Sequence, residues 1–80
     1  MPLSEHLLLV NELQRLIQQQ RLKKQISYAD LAKELGISKI MLMRYIKEEG
    51  IDIPIFKLLN ILKALEVSTE SIIKAIKIYF

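Results

Sequence analysis

Gly36 constrains this chain more than any other single residue. It follows the helix-forming stretch Ser27-Tyr28-Ala29-Asp30-Leu31-Ala32-Lys33-Glu34-Leu35, and Ser38 comes only two positions later. A glycine can take the left-handed conformation that ends a helix without a Cβ penalty. A serine can then accept from the first unpaired amides of the next helix. Two short helices joined across Gly36-Ile37-Ser38 must cross at a steep angle. Ser27 and Asp30 start the first of them with an S-x-x-D pattern related to the capping box, with Asp in place of Glu. Leu31, Ala32 and Leu35 form its buried face, and the small Ala32 lets its neighbour approach closely.

Helical spacing dominates the rest of the chain. A first helix is expected from a cap at Ser4 to about Lys24. Leu9, Leu13, Leu16 and Ile17 form one stripe, which Leu3, Leu7 and Val10 make wider than a single neighbour needs. Arg21, Lys23 and Lys24 suit the negative end of that helix dipole, and they are also candidate phosphate contacts. The third helix runs over about Lys39 to Lys47. Ile51-Asp52-Ile53-Pro54 is then an extended linker, because a residue before proline is pushed out of the α region. Pro54 suits the first turn of a fourth helix, Ile55 to Glu66. Phe56, Leu58, Leu59, Ile61, Leu62 and Leu65 supply the apolar face of this helix. Ser68 or Thr69 caps a fifth, from Glu70 to about Tyr79. The expected architecture is all-α, with the whole of residues 1–80 as one domain.

Composition narrows the function classes. At 80 residues the chain is near the lower limit for an independent core, so apolar burial has to supply its stability. It contains no cysteine, hence no disulfide and no thiolate metal site. The one histidine, His6, is expected to be exposed on the first turn, and every catalytic triad or metal set would have to share it. No glycine-rich phosphate loop is present. No enzyme, cofactor or metal is expected. The formal charge of +3 suits a polyanionic partner without requiring one. The beginning of the chain is acidic at Glu5, lacks a basic n-region, and has only Leu7 to Val10 as an apolar run, too short to cross a bilayer. A soluble, cytoplasmic protein is the expectation.

The pattern S-Y-A-D-L-A-K-E-L-G-I-S-K-I-M-L-M-R-Y, Ser27 to Tyr45, resembles the Cro/repressor-type, or Xre-like, helix-turn-helix family. Leu31-Ala32, Leu35-Gly36-Ile37-Ser38, Leu42 and Arg44 carry the resemblance. It continues through Leu58-Leu59, Ile61 and Lys63-Ala64-Leu65-Glu66-Val67-Ser68, and covers roughly residues 17 to 74. It implies a five-helix domain whose helix-turn-helix unit spans about residues 28–47. It also implies that the third helix enters the major groove of double-stranded DNA. Such proteins regulate transcription, commonly as repressors in prokaryotes or phages, and bind as dimers. The stretch Ile72 to Phe80 is apolar nearly all round. Together with the broad first-helix stripe, it suggests a homodimer interface near residues 69–79, although the same residues could simply close the monomer core.

On a helical wheel Met41, Leu42 and Tyr45 fall inward, while Ile40, Met43, Arg44 and Lys47 fall outward. Ser38 and Lys39 stand at the end that would face the groove. Arg44 is the foremost candidate, since a guanidinium can pair with guanine or clamp a phosphate. Lys39 and Lys47 are candidate phosphate ligands, and Tyr28 could donate its hydroxyl to phosphate. The alternative for each is a solvated surface side chain, evenly balanced for Lys39, Lys47 and Tyr28 and the lesser reading for Arg44. Ile40 and Met43 depart from the small or polar residues the family usually has there. They could touch thymine methyl groups, cover a protein partner, or be buried by a shifted helix rotation. Between Ser27 and Gly50 the charges cancel: Lys33, Lys39, Arg44 and Lys47 against Asp30, Glu34, Glu48 and Glu49. A protein-interaction module on the same scaffold, antitoxin-like or an adaptor of a phage or mobile element, therefore stays open.

Overall fold

A single helix of 23 residues, α1 (Pro2–Lys24), organises the molecule. At 1.5 Å per residue such a helix is about 34 Å long. The computed structural model measures 36 × 25 × 17 Å, so α1 runs its full length. The structure describes the backbone of residues 2–48 and 53–79 and the side chains of residues 6–48 and 53–78. Four further helices follow: α2 (Tyr28–Leu35), α3 (Lys39–Lys47), α4 (Ile55–Ala64) and α5 (Thr69–Tyr79). No strand occurs among the described residues, and the five-helix all-α expectation holds.

The wide stripe of α1 is explained by the number of its neighbours. It packs against α3, α4 and α5 at once, while α2 packs on α3 and α4. Leu9, Val10, Leu13 and Ile17 are all buried in this shared core, together with Leu31, Ala32, Leu42, Ile46, Ile53, Leu58, Ile61, Leu62, Leu65 and Ala75. Full burial of one such leucine or isoleucine is worth about 1.5–3 kcal/mol, so the core is the main source of stability. Little of the α1 stripe remains to cover a second chain. Leu8 and Leu22 are the large apolar residues of α1 left exposed among those described.

Three helices end in the same way, and only one uses glycine for it. After α2, Gly36 takes φ 71°. The Ile37 amide donates to the Ala32 carbonyl at 3.1 Å and the Gly36 amide to that of Lys33 at 3.2 Å. After α1, Gln25 occupies the same left-handed region at φ 57°. After α4, Glu66 does so at φ 60°. There the Glu66 and Val67 amides donate to Lys63 and Leu62, both at 3.0 Å. This turn ends α4 at Ala64, two residues before the Glu66 expected from sequence.

Other boundaries differ by similar amounts. α1 already includes Pro2, ahead of the cap expected at Ser4, because a proline without an N–H is tolerated in a first turn. Pro54 precedes α4 as its N-cap instead of lying within the first turn. Ser68 is the residue that caps α5, its Oγ accepting from the Ser71 amide at 3.2 Å. Ile53 is buried, whereas Ile51 and Asp52 of the expected linker lie outside the described residues, as does Phe80. His6 is half-buried, not exposed, because the α1 turn that carries it lies beside the core residues Leu9 and Val10. Ala75 anchors α5 in the core with Ile72 and Ile76 packed around it, and Ile73 and Ile78 remain exposed.

Candidate nucleic-acid interface

Caps fix the start of both central helices. Ser27 Oγ accepts from the Asp30 amide and Ser38 Oγ from the Met41 amide, each at 3.1 Å. Asp30 adds a negative charge to the first turn of α2, which favours the dipole. The apolar plug Ile37 and the flanking Leu35 and Tyr45 pack against the core from the turn between the two helices.

The rotation of α3 about its axis is set by Leu42 and Ile46, both buried. Opposite them lie Ile40, Arg44 and Lys47, all exposed, with Lys39 exposed at the start of the helix. The outward placement expected for Ile40, Arg44 and Lys47 is what the structure has. The wheel was slightly off for two others. Met41, expected inward, is 46% exposed. It lines a shallow groove of about 180 Å³ with Leu35, Ile37, Tyr45, Lys57, Asn60 and Ile61. Met43, expected outward, is half-buried. Both corrections have one cause: the buried face is centred between Leu42 and Ile46 rather than on Leu42 and Tyr45. Met41 and Met43 are each about 100° from Leu42, on opposite flanks. Ile40, by contrast, is 82% exposed.

Arg44 and Lys47 of α3 are tied into the protein surface. Arg44 Nε lies 3.2 Å from Glu48 Oε2, one turn along the same helix. Lys47 Nζ stands 5.0 Å from the centre of the Tyr28 ring, and the Arg21 guanidinium stands 4.0 Å from it. Arg21 also donates from Nε to Gln18 Oε1 at 3.1 Å and from Nη1 to the Ile26 carbonyl at 3.0 Å. Gln18 Nε2 in turn donates to the Tyr28 hydroxyl oxygen at 2.8 Å. Tyr28, Arg21 and Lys47, from three different helices, thus form one cluster at the start of α2. The other basic residues at the end of α1 do not join it. Lys24 pairs with Glu66 Oε1 at 3.0 Å beside the end of α4, and Lys23 is exposed.

Three glutamines of α1 escaped the sequence reading, and one of them, Gln20, donates from Nε2 to the Leu65 carbonyl at the end of α4 at 3.1 Å. Gln18 joins Arg21 to Tyr28. Gln14 is 6% exposed and donates from Nε2 to the carbonyls of Tyr45 at 2.9 Å and Glu48 at 3.0 Å. A signal for Gln14 was present: it stands between Val10, Leu13 and Ile17 in the middle of an apolar stripe, where a polar residue needs a partner. The signal for Gln18 was weaker, since an amide at the edge of a helix face is usually solvated. Beside Gln14, a cleft of about 600 Å³ opens between α1 and the end of α3, lined by Asn11, Gln14, Arg15, Gln18, Ile46 and Lys47. Arg15 forms an ion pair with Glu12 there.

A pair of short helices crossing at a left-handed glycine, its second helix exposing cations, defines a helix-turn-helix domain. Residues 17–72 match the helix-turn-helix family model, and the chain belongs to this Cro/C1-type, Xre-like family of DNA-binding transcription regulators. No curated protein and no solved structure matches the chain. Residues 2–16, about the first two-thirds of α1, lie ahead of the matched span. Among the described residues no group of His, Cys, Asp or Glu side chains could hold a metal ion, and no helix is long and apolar enough to cross a membrane.

Proposed function

We propose that this chain is a sequence-specific, double-stranded DNA-binding regulator that represses transcription as a homodimer in the cytoplasm, without enzymatic activity. The observation that carries the reading is the exposed face of α3. Lys39, Ile40, Arg44 and Lys47 project together while Leu42 and Ile46 hold the helix on the core. In this reading α3 lies in the major groove. Arg44 pairs with guanine or clamps a phosphate, Ile40 meets a thymine methyl group, and Ser38 and Lys39 lie against the entering strand. Met43, on the flank, reaches bases only at its edge.

Tyr28, Arg21 and Lys47 support a phosphate contact at the start of α2. The Tyr28 hydroxyl accepts from Gln18 Nε2 at 2.8 Å and donates to Gln18 Oε1 at 3.1 Å, an oxygen that Arg21 Nε also bonds. In this reading the hydroxyl turns its hydrogen from Gln18 to a phosphate while Arg21 keeps Oε1 paired. Lys23 and Lys24 add positive charge at the end of α1, with Lys24 shared with Glu66. The exposed Ile73 and Ile78 on α5 support a dimer built on that helix.

The decisive experiment is selection from a random duplex library followed by sizing of the complex. An enriched palindrome with half-sites about one helical turn apart, bound by two chains, is the expected result. Affinity that does not change with salt, or that survives both Arg44→Ala and Lys39→Ala, rejects this face as the DNA-binding surface.

A second reading, a protein-interaction module on the same scaffold, rests on a separate observation. Ile40, Met41 and Phe56 are all exposed apolar side chains, and Arg44 is already paired with Glu48. Recovery of a stoichiometric protein partner through Ile40 or Met43, with no DNA retained at low salt, favours it over the first.

A further inference from the structure

Gln14 combines features that the DNA-binding reading leaves unused. Among the described residues it is the buried polar one, and it lies in the part of α1 ahead of the family match. A leucine in its place would add apolar burial worth about 1.5–3 kcal/mol, so an amide there has to be stabilised by what it bonds. Both of its hydrogen bonds end on one element. The Tyr45 carbonyl, at 2.9 Å, is among the last four of α3, and the Glu48 carbonyl, at 3.0 Å, belongs to the residue that ends it. Carbonyls at a helix C-terminus have no partner inside the helix.

We infer that Gln14 is a positioning residue for α3, setting the angle at which its exposed face meets DNA; this rests on the reading proposed above. α3 has nine residues, too few to be rigid on its own. Its Leu42 and Ile46 contacts are apolar and therefore non-directional. They hold the helix on the core but resist small rotations about its axis weakly. Ser38 caps the N-terminal end through the Met41 amide, a bond local to α3 that does not tie it to another helix. Gln14 fixes the C-terminal end to α1 through two directional bonds. Arg44 and Lys47 leave α3 within a turn of that anchor, and Ile40 lies on the same exposed face. Base reading needs donors placed within about 0.5 Å and 10–20°, so a slackened C-terminal anchor costs discrimination before it costs general affinity.

Gln14→Met keeps the volume of the side chain and removes both donors. Fluorescence anisotropy is measured on the duplex enriched from a random library and on a scrambled duplex, at several salt concentrations, alongside circular dichroism of the free protein. The expected result is a helical, folded variant with an unchanged salt slope and a preference for the enriched duplex reduced by roughly three- to tenfold. An unchanged preference, or an equal loss on both duplexes, makes Gln14 a residue of stability alone and overturns the inference. The wild-type arm separates this failure from that of the underlying reading: a wild-type protein without any duplex preference rejects DNA reading itself, and the inference with it. If Gln14→Met does not fold, Gln14→Asn is measured in the same way. Its amide is one methylene too short to span both carbonyls, and the same two results decide.

Discussion

The Arg21 guanidinium lies 4.0 Å from the centre of the Tyr28 ring, and Lys47 approaches the same ring at 5.0 Å. Tyr28 thereby connects α1 and α3 to the first residue of α2, and its hydroxyl meets Gln18 at 2.8 Å. A cation over an aromatic face contributes about 0.5–1 kcal/mol at a partly exposed site. The cluster is thus a modest stabiliser that also gathers positive charge at the phosphate contact proposed above.

Tyr28→Phe separates the two roles. It keeps the ring under both cations and removes the hydroxyl. Urea denaturation is expected to show a loss of about 0.5–1.5 kcal/mol, the net value of one hydrogen bond. Tyr28→Ala removes the stacking as well and must cost more. If the hydroxyl also donates to phosphate, Tyr28→Phe weakens binding by a similar factor on every duplex sequence, because phosphate contacts position the protein and do not read bases. A sequence-dependent loss is the result that contradicts this assignment.

Gln25 offers a gain in stability. It ends α1 at φ 57°, a conformation that costs a residue with a Cβ roughly 1–2 kcal/mol. Gln25→Gly relieves that strain but enlarges the freedom of the unfolded chain. The net expectation is a stabilisation of about 0.5–1 kcal/mol, read as a higher thermal midpoint. Gly36→Ala is the reverse experiment at φ 71°. No atom would obstruct its Cβ, so any destabilisation measured there comes from the backbone alone.

The order of helices and the central turn were legible because they depend on neighbours in sequence: Ser27, Gly36 and Ser38 each act within a few residues. The end of α1 at Lys24 was read correctly from its basic residues, but α4 stops at Ala64 instead of Glu66, and the turns that close both helices were not legible. Gln25 and Glu66 do what glycine usually does, and nothing in their residue type announces a left-handed backbone. The rotation of α3 was legible to within one side chain on either flank. Met41 and Met43 changed places relative to solvent because the centre of burial depends on where α1 and α4 lie, which is not local information. The breadth of the α1 stripe was visible, but its cause was not: three packing partners within one chain produce the same pattern as a dimer interface. Gln14 and Gln18 act across 31 to 34 and 10 residues respectively, so their partners could not be read from the sequence.

Ile40 and Met43, similar in sequence, should behave differently on substitution. Ile40 is 82% exposed, so Ile40→Ala is expected to change stability by less than about 0.5 kcal/mol. Met43 is half-buried, and truncation there should cost roughly 1–2 kcal/mol, part of the value for a fully buried methionine. Repeating the duplex selection with Ile40→Ala should alter preference at a single position in each half-site, where a thymine methyl is lost as a contact. An unaltered site, together with loss of a captured protein partner, assigns Ile40 to protein recognition instead.

Glu48 restrains the residue expected to contribute most to binding. Its carboxylate holds Arg44 at 3.2 Å, with both side chains substantially exposed. Such a pair stabilises the fold by no more than about 0–1 kcal/mol, yet Arg44 has to leave it to reach an acceptor on DNA, and the carboxylate itself repels phosphate. Glu48→Gln removes the charge and leaves the backbone carbonyl that Gln14 grips. The variant is expected to keep its thermal midpoint within a degree or two and to bind the enriched duplex on the order of two- to tenfold more tightly at low salt. That advantage should shrink as ionic strength rises and the Debye length falls below about 10 Å. Combining it with Arg44→Ala provides the control. If Arg44 is the residue being released, Glu48→Gln gains much less in that background. An equal gain with and without Arg44 means that Glu48 acts by simple repulsion, and the assignment of Arg44 as the reading residue loses its support.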